Sequence, residues 1–166
     1  MKLSTLMKIC YKSIGKIRTP FKKIIGMPIQ SKGSIGSKGT VELKRKYVKG
    51  LLDLDKFSHI YLIYHFHKSK DFDLNVIPFL DDKPHGIFAT RAPKRPNQIG
   101  ISVVKLIHIS DNILEIENVD MLDGTPLLDI KPYISQFDIH EIEKNGWINN
   151  KTGYPNETRS DNRFKK

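Results

Sequence analysis

The run Ile101 to Ile109 (I-S-V-V-K-L-I-H-I) is followed by Ser110-Asp111-Asn112 and then by Ile113 to Val119. Two apolar runs of strand length joined by so few turn-forming residues read as a tight β-hairpin. In the return arm Leu114 and Ile116 fall on one face and Glu115 and Glu117 on the other, the period of a half-buried strand. A lone hairpin cannot bury its apolar face, so the remaining chain has to supply more strands or a cover.

Other segments supply them. Met7 to Arg18 alternates imperfectly and reads as a strand with a bend near Ser13 to Gly15, ended by Thr19-Pro20. Thr40 to Tyr47 places Val41, Leu43 and Tyr47 at period two, and Leu127 to Tyr133 is a short strand stopped by Pro132. His59 to His65 (H-I-Y-L-I-Y-H) is apolar on both faces, so it is central or has one face at an interface. Only Val48 to Phe57, with Leu51, Leu52, Leu54 and Phe57, carries helical spacing. Six or seven short strands with one or two short helical segments predict a mainly β, single-domain barrel over residues 1–140. Residues 141–166 are polar, with Trp147, Tyr154 and Phe164 as isolated aromatics, and read as a partly disordered surface tail.

The chain has 166 residues, a formal charge of +10 and one cysteine, Cys10. No intramolecular disulfide can form, and the thiol spacing of a zinc site is missing. Residues 1–50 hold thirteen Lys or Arg against a single acid, Glu42, so the charge forms a basic face or arm suited to an anionic partner, nucleic acid first. There is no secretory pattern and no run of about 18 apolar residues, so the expectation is a cytoplasmic protein with no membrane partner. The histidines lack a metal-site pattern, and no metal is expected.

The densest chemistry lies in His85 to Gly100 (H-G-I-F-A-T-R-A-P-K-R-P-N-Q-I-G). Ile87, Phe88 and Ala89 read as a strand step. Pro93 and Pro96 then enforce a loop that carries Arg91, Lys94, Arg95 and Asn97 with no acid among them. Guanidinium groups hold phosphate or carboxylate with paired donors, and an Asn amide can fix a base edge. Two further polar groupings are Asp123, Thr125, Asp129 and Lys131, with Asp129 and Lys131 on one strand face, and the Pro28–Gln30 turn. The turn opens a Gly- and Ser-rich connection too long to be a simple link. These groupings can form a ligand pocket, or serve only as turns and surface ion pairs.

Gly86 to Gly100 resembles a signature of the TsaA-like or YaeB-like family, also called the tRNA adenine-N6 methyltransferase O family. Asp123-Gly124-Thr125-Pro126-Leu127-Leu128-Asp129-Ile130-Lys131-Pro132-Tyr133 resembles its second signature, and Gly26-Met27-Pro28-Ile29-Gln30 a third. The resemblance covers roughly Lys8 to Asp138, with the stretches in the family's order. Gln98 stands where the family usually has Pro, and Ile29 where it usually has a basic residue. The length matches a short form lacking the further C-terminal domain of bacterial members.

The resemblance implies a β-barrel of that family's type, S-adenosyl-L-methionine as cofactor near a homodimer interface, and methylation of N6 of threonylcarbamoyladenosine beside the tRNA anticodon. It implies a cofactor-side loop over 28–38. Pro28, Gln30, Arg91, Arg95, Asn97, Asp123 and Thr125 are expected to bind cofactor, and Asp129 and Lys131 to act in catalysis. The basic N-terminal half would attract the anticodon stem-loop. Two alternatives stand beside this reading: a non-catalytic RNA-binding barrel, and an S-adenosylmethionine- or nucleotide-binding dimer of other function.

Overall fold

The computed structural model describes residues 7–150 and 157–164. Strands β1 (Gly15–Arg18), β2 (Lys38–Leu43), β3 (His59–His65), β6 (Ile99–Ser110), β7 (Ile113–Glu117) and β8 (Thr125–Pro132) close into an antiparallel barrel in the order β1-β2-β7-β6-β3-β8. A separate two-stranded ribbon joins β4 (Asn75–Val76) to β5 (His85–Gly86). The one short α-helix among the described residues is α1 (Ser135–Asp138). No helix among them is long and apolar enough to cross a membrane.

Period-two patterning explains the barrel. Ile60, Leu62 and Tyr64 of β3 point inward and are buried, while the residues between them face outward. Ile17, Val41, Val104, Leu114, Ile116 and Leu127 meet them in one core. Each fully buried aliphatic side chain contributes about 1.5–3 kcal/mol of burial free energy. Closure leaves the barrel no unpaired edge. The hairpin between β6 and β7 turns through Asp111 at φ 50°, a left-handed conformation Asp tolerates. Asn112 then docks the tip on β2: its carbonyl accepts from the Leu43 amide at 2.8 Å, and its Nδ2 donates to the Leu43 carbonyl at 2.8 Å.

The pairing of β3 with β8 shifts register between Ile63 and Tyr64, where Ile63 opposes Asp129 and Tyr64 opposes Leu127. Leu128 is therefore the extra residue of a bulge. The bulge keeps Leu127 and Ile130 on the core side and turns Asp129 and Lys131 outward, opposite Ile63 and Tyr61.

Three local expectations change. The first strand begins only at Gly15, because β2 and β8 provide partners from there on, while Met7, Ile9 and Tyr11 lie exposed. The helical segment is two 3-10 pieces, Arg45–Leu51 and Leu54–Lys56. Ile87–Ala89 is a 3-10 turn rather than a strand step: the amide and the hydroxyl of Thr90 both donate to the Ile87 carbonyl, at 3.1 and 3.0 Å, and close the turn.

A second, smaller apolar cluster lies outside the barrel. Val76, Ile87 and Ala92 bury Phe164 from the C-terminal segment, whose ring meets Phe79 edge-on at 5.1 Å. Trp147 donates to the Ala89 carbonyl at 2.8 Å and stacks on His85 at 4.6 Å.

Candidate functional site

The cationic loop is knotted by its own side chains. Arg95 folds back, and its Nη1 donates to the carbonyls of Ile87 (3.1 Å) and Thr90 (2.8 Å), with the guanidinium 5.8 Å from the Phe88 ring centre. Lys94 pairs with Asp73 at 2.9 Å. Those contacts shape the loop and leave Arg91 exposed, without an ion pair among the described residues. Asn97 is exposed next to the start of β6.

Beneath the loop a polar chain runs through the edge of the core. Ser102 of β6 and Tyr64 of β3 are inward-pointing polar residues on otherwise apolar faces. Ser102 Oγ donates to Asp120 Oδ1 at 2.6 Å and lies 3.1 Å from the Tyr64 hydroxyl. With the serine proton committed to the carboxylate, the tyrosine donates to the serine. Burial pushes the Asp120 carboxyl from its ordinary 3.8 up to about 6. The Ser102 bond, its own amide, the charge of Arg91 and the Ser31 amide oppose that rise. Burial also raises the Tyr64 hydroxyl well above the usual phenol range, with Asp120 adding to it and Ser102 and Arg91 working against it. Tyr64 fits only because residue 100 is glycine: a Cβ there would lie 2.3 Å from its ring and 2.9 Å from that of Phe66.

Asp120 thus lies within electrostatic reach of residues in or next to all three sequence stretches. Ser31 follows the Pro28–Gln30 turn, Arg91 belongs to the cationic loop, and Asp120 lies three residues before Asp123. Pro28 is buried and Gln30 precedes the 3-10 turn Ser31–Gly33. Asp120 stands in none of the three polar groupings that the sequence singles out. The available signal was Ser102, a polar residue in the inward phase of an apolar strand that needs a buried partner.

The remaining residues of the second stretch spread to either side. Asp123 accepts from the Thr19 amide at 3.1 Å and pairs with Lys22 at 2.7 Å and Arg18 at 4.0 Å. The Lys22 bond, helped by Thr19 and Arg18 and opposed by partial burial, holds its carboxyl below the ordinary range. It lines an open basic recess of about 410 Å³ with Arg18, Lys22 and Lys38. Thr125 is buried, donates to the Leu122 carbonyl at 2.7 Å and lies 3.4 Å from His67 Nδ1. Burial lowers the His67 imidazole, with Lys68 and His65 adding to the effect. Asp129 and Lys131 form a 2.8 Å ion pair on the outward barrel face. Asp129 also borders an apolar recess of about 480 Å³ with Tyr47, Leu51 and Ile130. Tyr61, opposite Lys131, lies within electrostatic reach of Arg91, so this face adjoins the Asp120 junction.

Barrel and junction together define a class: a small closed antiparallel barrel whose polar site is built by irregular connections on its flank. Within that class the chain belongs to the family described as the tRNA-methyltransferase O N-terminal domain, which matches residues 16–139. A protein of Pyrococcus abyssi named "Probable S-adenosyl-L-methionine-binding protein" is 50% identical over 94% of this chain and 85% of its own length. The mouse protein named tRNA (adenine(37)-N6)-methyltransferase is 34% identical over 75% of this chain and 31% of its own. The crystal structure of TrmO from Pseudomonas aeruginosa superposes with a TM-score of 0.72 at 36% identity, covering 85% of this chain and 63% of that one.

Proposed function

We propose that this protein uses S-adenosyl-L-methionine to methylate N6 of threonylcarbamoyladenosine at position 37 of tRNA, beside the anticodon, a reading supported by the relative named for adenine 37. The observation that carries it is the junction of Asp120, Ser31 and exposed Arg91. A buried carboxylate within electrostatic reach of a guanidinium that has no ion pair among the described residues complements a ligand that carries both a cation and a carboxylate, as the amino-acid end of this cofactor does. When bound, S-adenosylmethionine supplies an electrophilic methyl group on a sulfonium. The protein's own work is binding, orientation and exclusion of water.

Arg91 holds a carboxylate, and Asn97 offers its amide to the cofactor or the substrate. Arg95 keeps the loop in shape through Ile87 and Thr90. Pro28 and Gln30 line the cofactor side, and Asp123 and Thr125 fix the turn that leads from the junction into β8. Asp129 accepts or orients the N6 proton, which the carbamoyl group makes more acidic, and Lys131 places that carboxylate. Arg18, Lys22 and Lys38 attract the phosphates of the anticodon stem-loop.

The outward face of β3 and β6 presents Ile63 and Ile101, the latter 52% exposed, beside Asp129 and Lys131. A second copy covering this face would enclose a site that one chain leaves open, so the working form is a homodimer. Incubation with methyl-labelled cofactor and tRNA lacking this methyl group, followed by nucleoside analysis, tests the reading. Label confined to threonylcarbamoylated adenosine is the expected result. Label in unmodified adenosine overturns the substrate, and RNA binding without label overturns the activity in favour of a non-catalytic barrel.

A further inference from the structure

We infer that Ser160, in the C-terminal segment, is a positioning residue for the cofactor-side loop; the inference rests on the function proposed above. Residues 24–30 belong to no barrel strand, and Gly26 sits at φ 81°. Ser160 holds Ile24, Gly26 and Met27 of this stretch. The Gly26 amide donates to the Ser160 carbonyl at 2.8 Å, and the Ser160 amide donates to the Met27 carbonyl at 2.9 Å. The Met27 amide donates to Ser160 Oγ at 3.0 Å, and that hydroxyl donates in turn to the Ile24 carbonyl. Four main-chain groups of Ile24, Gly26 and Met27 thus close on a residue more than 130 positions away. Ser160 is 9% exposed and Met27 8%, so water cannot readily replace these bonds. Arg159 extends the contact by pairing with Pro28 as a β-bridge and donating from Nη1 to the Gly33 carbonyl at 3.0 Å.

The same segment is fastened at its other end to the cationic loop's foundation. Phe164 is buried with Val76, Ile87 and Ala92, and the Arg163 guanidinium lies over the Phe79 ring at 5.2 Å. Ile87 is the residue whose carbonyl Arg95 and Thr90 share. Residues 159–164 therefore tie the turn that leads to Ser31 to the loop that carries Arg91, the two approaches to Asp120. Fixing both in the bound geometry lowers the ordering cost of binding, which affects affinity and leaves the reacting groups untouched.

The test uses the full chain carrying Ser160→Ala, with Phe164→Ala as a second variant that releases the other anchor. Amide hydrogen exchange and calorimetric titration with S-adenosylmethionine are compared with wild type. Exchange at Gly26 and Met27 is expected to rise about tenfold or more while Ile60 and Val104 in the barrel stay protected. The cofactor Kd is expected to weaken about tenfold, with kcat at saturating cofactor within about twofold of wild type. Unchanged exchange at Gly26 and Met27 in both variants overturns the inference, as does faster exchange with an unchanged Kd. A wild-type chain that binds no S-adenosylmethionine overturns the methyltransferase reading instead, and the exchange comparison still reports on the strap.

Discussion

The barrel and the shell of connections around it are held together in opposite ways. In the barrel, main-chain ladders and aliphatic burial carry the structure, and side chains such as Ile60, Leu62 and Val104 have one task. In the shell, ladders nearly vanish. Arg95, Thr90, Ser160 and Asp123 reach across to carbonyls and amides, and polar side chains do what strand pairing does elsewhere. A rigid apolar body can thus carry loops whose shape depends on single polar residues. Asp120 sits on the boundary: Ser102, rooted in a barrel strand, holds it, and Ser31 and Arg91 face it from the shell.

Substitutions can separate the two regions. Leu62→Ala removes a fully buried barrel side chain and is expected to cost about 3–4 kcal/mol by thermal or urea unfolding. The molecules that remain folded should bind cofactor with wild-type affinity. Gly100→Ala strikes the boundary, because the new methyl would displace Tyr64 and with it Ser102. About 1–3 kcal/mol of stability should be lost, and cofactor affinity should fall in parallel. Loss of one without the other breaks the proposed coupling.

Asp120→Asn gives a signed prediction. The carboxyl's folded pKa of about 6 lies above its ordinary 3.8, so the native state holds the proton longer than the unfolded state. Stability from this group is greatest below 3.8, declines as pH rises towards 6 and is flat above. Replacing the acid should remove that decline and raise stability near pH 7.5 by about 3 kcal/mol. Unfolding curves across this range check it, and a variant as pH-dependent as wild type would place the acid elsewhere. Lys131→Ala should have the smallest effect on stability, within about 0.5 kcal/mol, because its pair with Asp129 is solvent-exposed. A clear fall in methyl transfer with that stability retained would support its proposed role.

Legibility in the sequence follows the same division. Strands β6 and β7 announce themselves as two strand-length runs around a tight turn and β3 as a run apolar on both faces, and the mainly β barrel follows from them. The start of β1 and the Ile87–Ala89 turn were not legible. One depends on where neighbouring strands end and the other on Thr90 capping, and neither is written in local hydropathy. Arg91 stood out as a cation in a loop rich in proline. Asp120 did not, because its environment is made by Ser102, Tyr64 and Ser31, which lie far from it in the chain. Ser160 was hidden for the same reason, as a small polar residue in a polar tail whose contacts are all long-range.

The central claim is that Arg91 and Asp120 form one binding site on the flank of the barrel. Calorimetric titration of S-adenosylmethionine into wild type, Arg91→Ala and Lys56→Ala tests it most directly, since Arg91 is exposed and Lys56 pairs with Asp53 on the surface. The account predicts binding by wild type and Lys56→Ala alike, and at least about a hundredfold weaker binding, near 3 kcal/mol, by Arg91→Ala with unchanged thermal stability. Equal binding by all three proteins, or none by wild type at millimolar ligand, would contradict it.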